Sequence, residues 1–312
     1  MTFSGDAVRA ARQRRGDALV EPGKTAVRRA VGRELKRMRN AKGINLKKAA
    51  ESTGETGDKA LMQVERGRNL PQLADVDALL SAYGHRDQLP HFETVLRRAD
   101  RRRNWKDWWE TRFAPDAVPE QTKLLLSCEA SAVALRLYQP QFVPDLFQTP
   151  DYTETLLRAA RPSAPDDEVR MWCALLAGRQ EIVLDREEPP AVHCVLDEAV
   201  LRRRVGGPGV LAAQLARLAH LARQPHVDIR VLPDDAGAHA GTGGGFTRIE
   251  LLPELPTYPG IVHLRTAADE VYYEEPEDIA PFDEVWRLVV ERALPADESL
   301  ALIDESAGAL AR

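Results

Sequence analysis

The first regular pattern of apolar and polar positions starts at Thr25 and predicts an amphipathic helix. Its apolar residues recur at helical spacing: Val27, Val31, Leu35 and Met38. Basic residues occupy its other faces: Arg28, Arg29, Arg33, Lys36, Arg37 and Arg39. Gly43 is expected to end this helix, because glycine adopts the left-handed conformation of a C-terminal cap without steric cost.

A second, short helix is predicted over residues 46–52. Asn45 precedes it, and an asparagine oxygen at this position can accept a hydrogen bond from a free N–H group of the first turn. Ala49 and Ala50 are small enough to let another helix cross closely, and Gly54 supplies a tight turn. These features are typical of the first half of a helix-turn-helix.

A third helix supplies the second half of that motif. It is expected to begin near Thr56 or Asp58, either of which can cap it, and to reach Arg66 before Gly67 stops it. Two of its apolar residues face inward: Leu61 and Val64. A fourth amphipathic helix follows over residues 73–83. The order of helices and turns predicts helix-turn-helix geometry.

Beyond residue 119, helical spacing alternates with the two-residue period of strands, which predicts a mixed α/β domain. Helices are expected over residues 129–137, up to residue 160, over 167–184 and over 209–223. Strands are expected over residues 191–196, 226–232, 246–252, 260–264 and 270–274. A last long helix is expected to begin at Pro276.

The predicted fold class is therefore α plus mixed α/β, with an N-terminal all-helical helix-turn-helix domain followed by a larger mixed α/β domain. The predicted parts are a flexible basic arm (1–24), the helix-turn-helix domain (25–90), a basic and aromatic connector (91–118) and a regulatory or partner-binding domain (119–312). In the connector, Trp105, Trp108 and Trp109 share one helical face. We interpret them as packing against the following domain, in preference to stacking on nucleic acid.

Residues of the N-terminal part resemble the Cro/cI-type (xenobiotic-response-element) helix-turn-helix family. The similar stretches are Leu35-Lys-Arg-Met-Arg, Lys42-Gly43, Ala49-Ala50, Thr53-Gly54 and Val64-Glu65-Arg66-Gly67-Arg68. The Glu-Arg-Gly ending is the most distinctive of them, and the match covers residues 27–85. The spacing from Gly54 to Gly67 is one residue longer than usual in the family. The resemblance implies a homodimer that binds a palindromic double-stranded DNA operator.

The N-terminal half of a recognition helix lies in the major groove, so four residues are expected to face base edges: Asp58, Lys59, Met62 and Gln63. Gln63 can contact adenine and Lys59 can reach guanine acceptors. Asp58 can accept from cytosine or cap the helix, which we favour. Met62 can pack on a thymine methyl group or fill the core. Four further residues are expected to bind DNA: Asn45, Lys47, Lys48 and Arg66. The first three would face the phosphate backbone of the DNA.

The rest of the chain, from about residue 100, resembles the C-terminal domain of actinomycete antitoxin-like transcriptional regulators. The similar stretches are Trp108-Trp109-Glu110, residues 142–152, Arg179-Gln180, residues 195–207, Val231-Leu-Pro and residues 237–241 with Gly245-Phe246. The chain has Pro144-Asp145 where the family usually has Pro-Gly. The resemblance implies a regulator often encoded beside a small partner protein, which the C-terminal domain would bind.

Charge is distributed unevenly along the chain. Residues 1–70 carry a net charge of +9 and the remainder −14, an asymmetry typical of a DNA-binding domain joined to another module. The longest apolar runs are much shorter than the ~20 residues of a membrane span, and no secretory signal is expected. Three scattered cysteines favour a reducing cytoplasm over a disulfide framework.

No catalytic residue, metal site or cofactor is predicted, and we expect a protein that is not an enzyme. The Gly241–Gly245 stretch lacks the lysine of a phosphate loop and is interpreted as a turn. His193 and Cys194 should point to opposite faces of a strand. Glu274-Glu275 and Glu277-Asp278 are interpreted as a solvated acidic patch at a helix N-terminus. Two alternatives stay open: a ligand-gated repressor with a small-molecule pocket in the C-terminal domain, and an enzyme with an auxiliary DNA-binding domain.

Overall fold

The described residues of the N-terminal part form five α-helices. In the computed structural model, which describes residues 22–53, 57–100, 105–114, 116–266 and 268–310, they are α1 (Lys24–Ala41), α2 (Leu46–Glu51), α3 (Asp58–Glu65), α4 (Leu73–Tyr83) and α5 (Leu89–Asp100). Most of the predicted basic arm, and Gly54 and Thr56 at the predicted turn, lie outside the described residues. The four predicted helices are confirmed. The fifth lies within the predicted connector and packs on α1 and α4.

The core of this bundle is the apolar face that the sequence pattern predicts. Val27, Val31 and Leu35 of α1 are fully buried and pack with Leu61 of α3 and Leu79 of α4. Left-handed glycines follow three of the helices: Gly43 has φ +68, Gly67 has φ +71 and Gly84 has φ +85. Each ends its helix without the clash that a Cβ would introduce.

The C-terminal part contains a six-stranded mixed sheet with strand order β3-β2-β1-β4-β5-β6. Its strands are β1 (Ala132–Gln139), β2 (Ala191–Asp197), β3 (Val227–Leu232), β4 (Phe246–Leu251), β5 (Ile261–Arg265) and β6 (Glu270–Tyr273). β1, β2 and β3 pair in parallel, and β4, β5 and β6 continue from β1 in antiparallel pairs. The predicted mixed α/β fold is confirmed, with all five predicted strands present.

Helices cover both faces of this sheet. They are α6 (Glu120–Ala130), α7 (Pro150–Ala160), α8 (Asp166–Leu184), α9 (Ala199–Arg202), α10 (Gly207–Ala222), α11 (Pro276–Arg292) and α12 (Ala296–Leu310). Side chains alternate between the two faces of each strand. Tyr138 and Val195 therefore pack with Trp286 of α11, while Leu135 and Cys194 belong to the larger core on the other face.

Three predictions for this part are wrong. The helix expected over residues 129–137 is the end of α6 followed by β1, because an apolar run does not distinguish a buried strand from a helix. The helix that begins at Pro276 is not the last, since α12 follows it. Trp105 precedes the single turn of 3-10 helix at Trp108–Thr111, so the tryptophans do not share one helical face.

The tryptophans nevertheless pack as core residues. Trp109 is buried against Val118, Leu126 and Leu175, and Trp108 lies at the edge of this cluster. Trp105 is partly buried against the main core. The interpretation of these residues as packing against the following domain is consistent with their positions.

α1 contacts both parts of the protein. One face carries the core of the helical bundle, and the helix also packs against α6. N–H groups of its first turn donate hydrogen bonds to side chains that are distant in sequence. The Thr25 N–H donates to Asp107 Oδ2 at 3.1 Å, and the Ala26 N–H donates to Ser127 Oγ at 2.8 Å. Burial raises the pKa of the Asp107 carboxyl group, although hydrogen bonds from Thr25 and Ser127 oppose the shift. The N-terminus of α1 is thus completed by Asp107, which lies between α5 and α6, and by Ser127 of α6.

Candidate DNA-binding surface

α3 stands in the position of a recognition helix. It packs on α1 and α2 through Leu61 and Val64, which are buried. Its opposite side is open: Lys59 is exposed, and Met62 and Gln63 are partly exposed. Arg66, at the end of the helix, is also exposed. The expected base-reading residues therefore share an accessible surface.

The start of α3 differs from the favoured interpretation of Asp58. Gly57 occupies the N-terminal cap position and Asp58 is the first helical residue, so Asp58 is not the cap. Its exposed carboxylate accepts a hydrogen bond from the Lys59 N–H at 2.7 Å. A negative charge in the first turn still interacts favourably with the helix dipole.

The start of α2 is as predicted. Asn45 caps the helix, with its Oδ1 accepting from the Lys48 N–H at 2.9 Å. Asn45, Lys47 and Lys48 are all exposed. A helix N-terminus that carries free amide groups and two lysines suits phosphate oxygens.

A buried ion pair fixes the far end of α3. Arg39 of α1 donates to both carboxylate oxygens of Glu65, at 2.6 and 2.8 Å, and also to the Ile44 carbonyl at 2.8 Å. Burial raises the pKa of the nearby Tyr83 hydroxyl, and the Glu65 charge raises it further. Arg39 was expected on a polar face, but its side chain joins α1, the segment before α2 and α3.

Two glycines let α1 and the end of α3 approach closely. A Cβ on Gly32 would lie 2.1 Å from the Val64 carbonyl oxygen, closer than any van der Waals contact. Gly67, which follows α3, has φ +71, and a Cβ there would lie 2.8 Å from the Arg29 Cα. The glycine of the Glu-Arg-Gly motif is therefore required both by backbone conformation and by space.

A second buried ionic cluster lies behind α3. Arg29 and Arg33 of α1 both bind the Glu274 carboxylate, with Nε of Arg29 at 2.8 Å and Nη2 of Arg33 at 3.0 Å. The Glu274 side chain is 2% exposed. The interpretation of this segment as a solvated acidic patch is thus wrong for Glu274, because α1 covers it, whereas Glu277 remains exposed.

The glycine-rich turn, His193 and Cys194 all lie on or beside the sheet. A Cβ on Gly241 would lie 2.4 Å from the Tyr138 ring, so the glycine-rich turn packs tightly before β4. His193 lies 3.7 Å from Asp228 on one face of the sheet, and Cys194 is buried on the other. Within the described ranges, no group of three or more His, Cys, Asp or Glu residues could hold a metal ion.

None of the helices in the described part of the chain combines the length and the apolar character needed to cross a membrane.

The two-helix motif, its open basic face and its supporting ion pair define a helix-turn-helix DNA-binding regulator. A family model described as a helix-turn-helix domain matches residues 30–92. The chain belongs to the family described as "Domain of unknown function (DUF5753)", whose model matches residues 122–305 and thus more than half of the chain. No curated protein matches the chain. No solved structure matches it either.

Proposed function

We propose that the protein is a sequence-specific transcriptional regulator of the Cro/cI type, antitoxin-like in its C-terminal domain, and that it acts by binding and not by catalysis. One observation carries the proposal: Lys59 and Gln63 stand on the open face of a helix whose other face is fixed by Leu61 and Val64. The surrounding segment has a net charge of +9 over residues 1–70. Such a helix can enter the major groove while the basic surface neutralises phosphates.

The contacts with DNA would be divided between two helices. Gln63 and Lys59 would contact base edges, with Met62 beside them against a thymine methyl group. Asn45, Lys47 and Lys48 would place the start of α2 on the phosphate backbone and fix the register. Arg66 lies at the end of α3, where its exposed side chain can reach the same strand.

The proposed active form is a homodimer. One helix-turn-helix domain covers half of a typical operator, and two domains related by a twofold axis would read a palindrome in the cytoplasm. Sedimentation of the protein with and without operator DNA tests this form. A single species of monomer mass on a palindromic operator would contradict it.

The operator proposal is tested by a mobility-shift assay on the DNA upstream of the protein's own gene. We expect retention that survives competition with unrelated DNA and weakens steadily over a salt series, because counterions are released on binding. Retention that unrelated DNA abolishes at every salt concentration would contradict sequence-specific binding.

The C-terminal domain is proposed to bind a small protein encoded nearby. Support comes from the resemblance to antitoxin-like regulators and from the net charge of −14 beyond residue 70, which suits a partner with a basic surface. Co-purification of the tagged protein with its small neighbours is the test. A neighbour that binds full-length protein in low salt and is released in high salt is the expected result.

A small-molecule effector is the second candidate, favoured by one cavity. This cavity is shallow and largely open to solvent, measures about 470 Å³ and lies between the glycine-rich turn and α11, lined by Ala238, His239, Ala240, Leu288, Glu291 and Arg292. Its volume is within the range of ligand sites. A metabolite that raises the melting temperature of the wild type but not of a His239→Leu variant would support this candidate over a protein partner.

A further inference from the structure

The ionic cluster behind α3 does more than join α1 to the C-terminal part. Besides binding Glu274, the Arg29 guanidinium donates from Nη1 to the Arg66 carbonyl oxygen at 3.3 Å. Arg66 is the C-terminal cap residue of α3. Arg29 is therefore in contact with the end of the recognition helix and with the C-terminal domain at once.

Glu274 determines where that guanidinium points. Its carboxylate accepts from Nε and Nη2 of Arg29, which leaves Nη1 directed at α3. Glu274 directly follows β6 and precedes α11, so its position is fixed by the sheet of the C-terminal domain. Because a guanidinium is planar, holding one edge of it also fixes the direction of the remaining N–H groups.

The contacted carbonyl belongs to a tightly built helix end. The Gly67 N–H donates to the Val64 carbonyl at 2.8 Å, and the Arg68 N–H donates to the Gln63 carbonyl at 2.9 Å. Gly67 also lies against the backbone of Arg29, as the clash of a Cβ there shows. A shift of Arg29 would thus be transmitted to the turn of helix that contains Gln63.

We infer that Arg29 is a positioning residue for DNA reading, which couples the C-terminal domain to α3 through Glu274. The inference rests on the proposed operator binding. Arg29 lies behind α3 and acts through the orientation of that helix. Any partner or ligand that displaces β6 would change the affinity for DNA by this route.

Arg33 provides a matched control. It binds the same carboxylate from the next turn of α1, and its side chain is 25% exposed, as is that of Arg29. Among the described residues, its bonds go to Glu274 and Glu275 and none reaches α3. Replacing either arginine by lysine keeps the positive charge beside Glu274, but lysine lacks the fork that binds two partners at once.

The first test needs no DNA. Hydrogen exchange of the Gly67 and Arg68 amides is measured in the full-length wild type, Arg29→Lys, Arg33→Lys and Glu274→Gln. We expect exchange to become about tenfold faster in Arg29→Lys and Glu274→Gln and to stay unchanged in Arg33→Lys. Equal effects in the two lysine variants would overturn the inference, as would unchanged exchange in Glu274→Gln.

The second test measures operator affinity for the same proteins across a salt series. Arg29→Lys should weaken specific binding about three- to tenfold and leave the salt slope unchanged, because no phosphate contact is lost. Arg33→Lys should match the wild type. A loss in Arg29→Lys that also appears on unrelated DNA, with a flatter slope, would make Arg29 a phosphate contact and overturn the inference.

The two tests separate the inference from the proposed function. A wild type without specific DNA binding would contradict the operator proposal, and the exchange rates would still decide whether Glu274 positions α3 through Arg29. Specific binding combined with equal exchange in both lysine variants would contradict only the positioning role. Melting temperatures of all variants show whether each one is folded.

Discussion

Two glutamates hold the recognition helix from behind, and they do so through different partners. Glu65 belongs to α3 and pairs with Arg39, whereas Glu274 belongs to the C-terminal domain and reaches α3 only through Arg29. Both carboxylates are buried, where an unpaired charge is strongly unfavourable. The orientation of α3 therefore depends on residues that are far from its DNA-facing surface.

The pair between Arg39 and Glu65 should be essential for the stability of the helical bundle. Glu65→Ala would leave the buried guanidinium without its charged partner and should lower the free energy of unfolding by about 3–5 kcal/mol. Asp77→Ala removes the exposed partner of Arg86 and should leave the melting temperature nearly unchanged. Urea unfolding of both variants checks this difference, and equal losses would contradict it.

The residues on the accessible surface of α2 and α3 should affect DNA binding and not stability. Gln63→Ala should relax discrimination at one base position by about 1–3 kcal/mol. Lys47→Ala should instead weaken binding to all sequences alike and lower the salt slope by about one. Affinities for a set of single-base operator variants separate the two outcomes. A uniform loss in Gln63→Ala would show that it does not read a base.

The sequence distinguishes these two kinds of residue only in part. The Asn45 cap and the exposure of Lys47 and Lys59 follow from local pattern, because helix spacing places them away from the apolar face. Arg29 and Arg39 look no different from their basic neighbours in the sequence. Their partners, Glu274 and Glu65, are brought near by folding, which no local spacing encodes.

At the scale of elements, α1 and the end of α3 cross closely because Gly32 and Gly67 have no side chains. Gly32→Ala should push the two elements apart, because its Cβ would overlap the Val64 carbonyl. Gly43→Ala is the control: Gly43 follows α1 in the left-handed region, and no atom lies within 4 Å of a Cβ there.

We expect Gly43→Ala to cost about 1 kcal/mol, the ordinary penalty of the left-handed conformation for alanine. Gly32→Ala should cost more than this, although its helical conformation suits alanine, because the close approach to α3 is lost. Denaturant unfolding gives both values. A smaller loss for Gly32→Ala than for Gly43→Ala would contradict the crossing argument.

Elements of the C-terminal domain were predictable where their pattern is unambiguous. Strands β2 to β6 and the helices α8, α10 and α11 follow from clear periods and turn residues. β1 is one of the two middle strands and carries apolar residues on both faces, so its sequence resembles a buried helix. The strand order, with β1 between β2 and β4, depends on long-range pairing that the sequence pattern does not contain.

At the scale of the whole molecule, buried ionic groups tie the sheet to the helices around it. The Glu270 carboxylate of β6 accepts hydrogen bonds from Thr122 of α6 at 3.0 Å and from the Tyr272 hydroxyl at 2.9 Å. Burial opposes its ionisation, but the hydrogen bond from Tyr272, the charge of Arg265 and the proximity of His263, whose Nε2 lies 3.4 Å from the carboxylate, outweigh it. They lower the pKa of Glu270 from 4.5 to about 2.

This lowered pKa predicts acid sensitivity of the whole fold. As the pH falls, Glu270 is protonated in the unfolded chain before it is protonated in the folded protein. The stabilisation that ionised Glu270 contributes to the fold is therefore complete above about pH 5 and is lost as the pH falls towards 2. Glu270→Gln should reduce the loss of unfolding free energy over this range by on the order of 2 kcal/mol. Glu120→Gln, at an exposed position of α6, should leave the loss unchanged. Equal acid profiles in both variants would contradict the prediction.

The N-terminus of α1 is completed by residues that are synthesised 82 and 101 positions later, Asp107 and Ser127. A nascent chain that has released only the helix-turn-helix from the ribosome still has open amide groups at that end of α1. Without Asp107 and Ser127 these amide groups can bond only to water, so we expect α1, and α3 packed on it, to be less stable in a chain truncated before α6 than in the full-length protein.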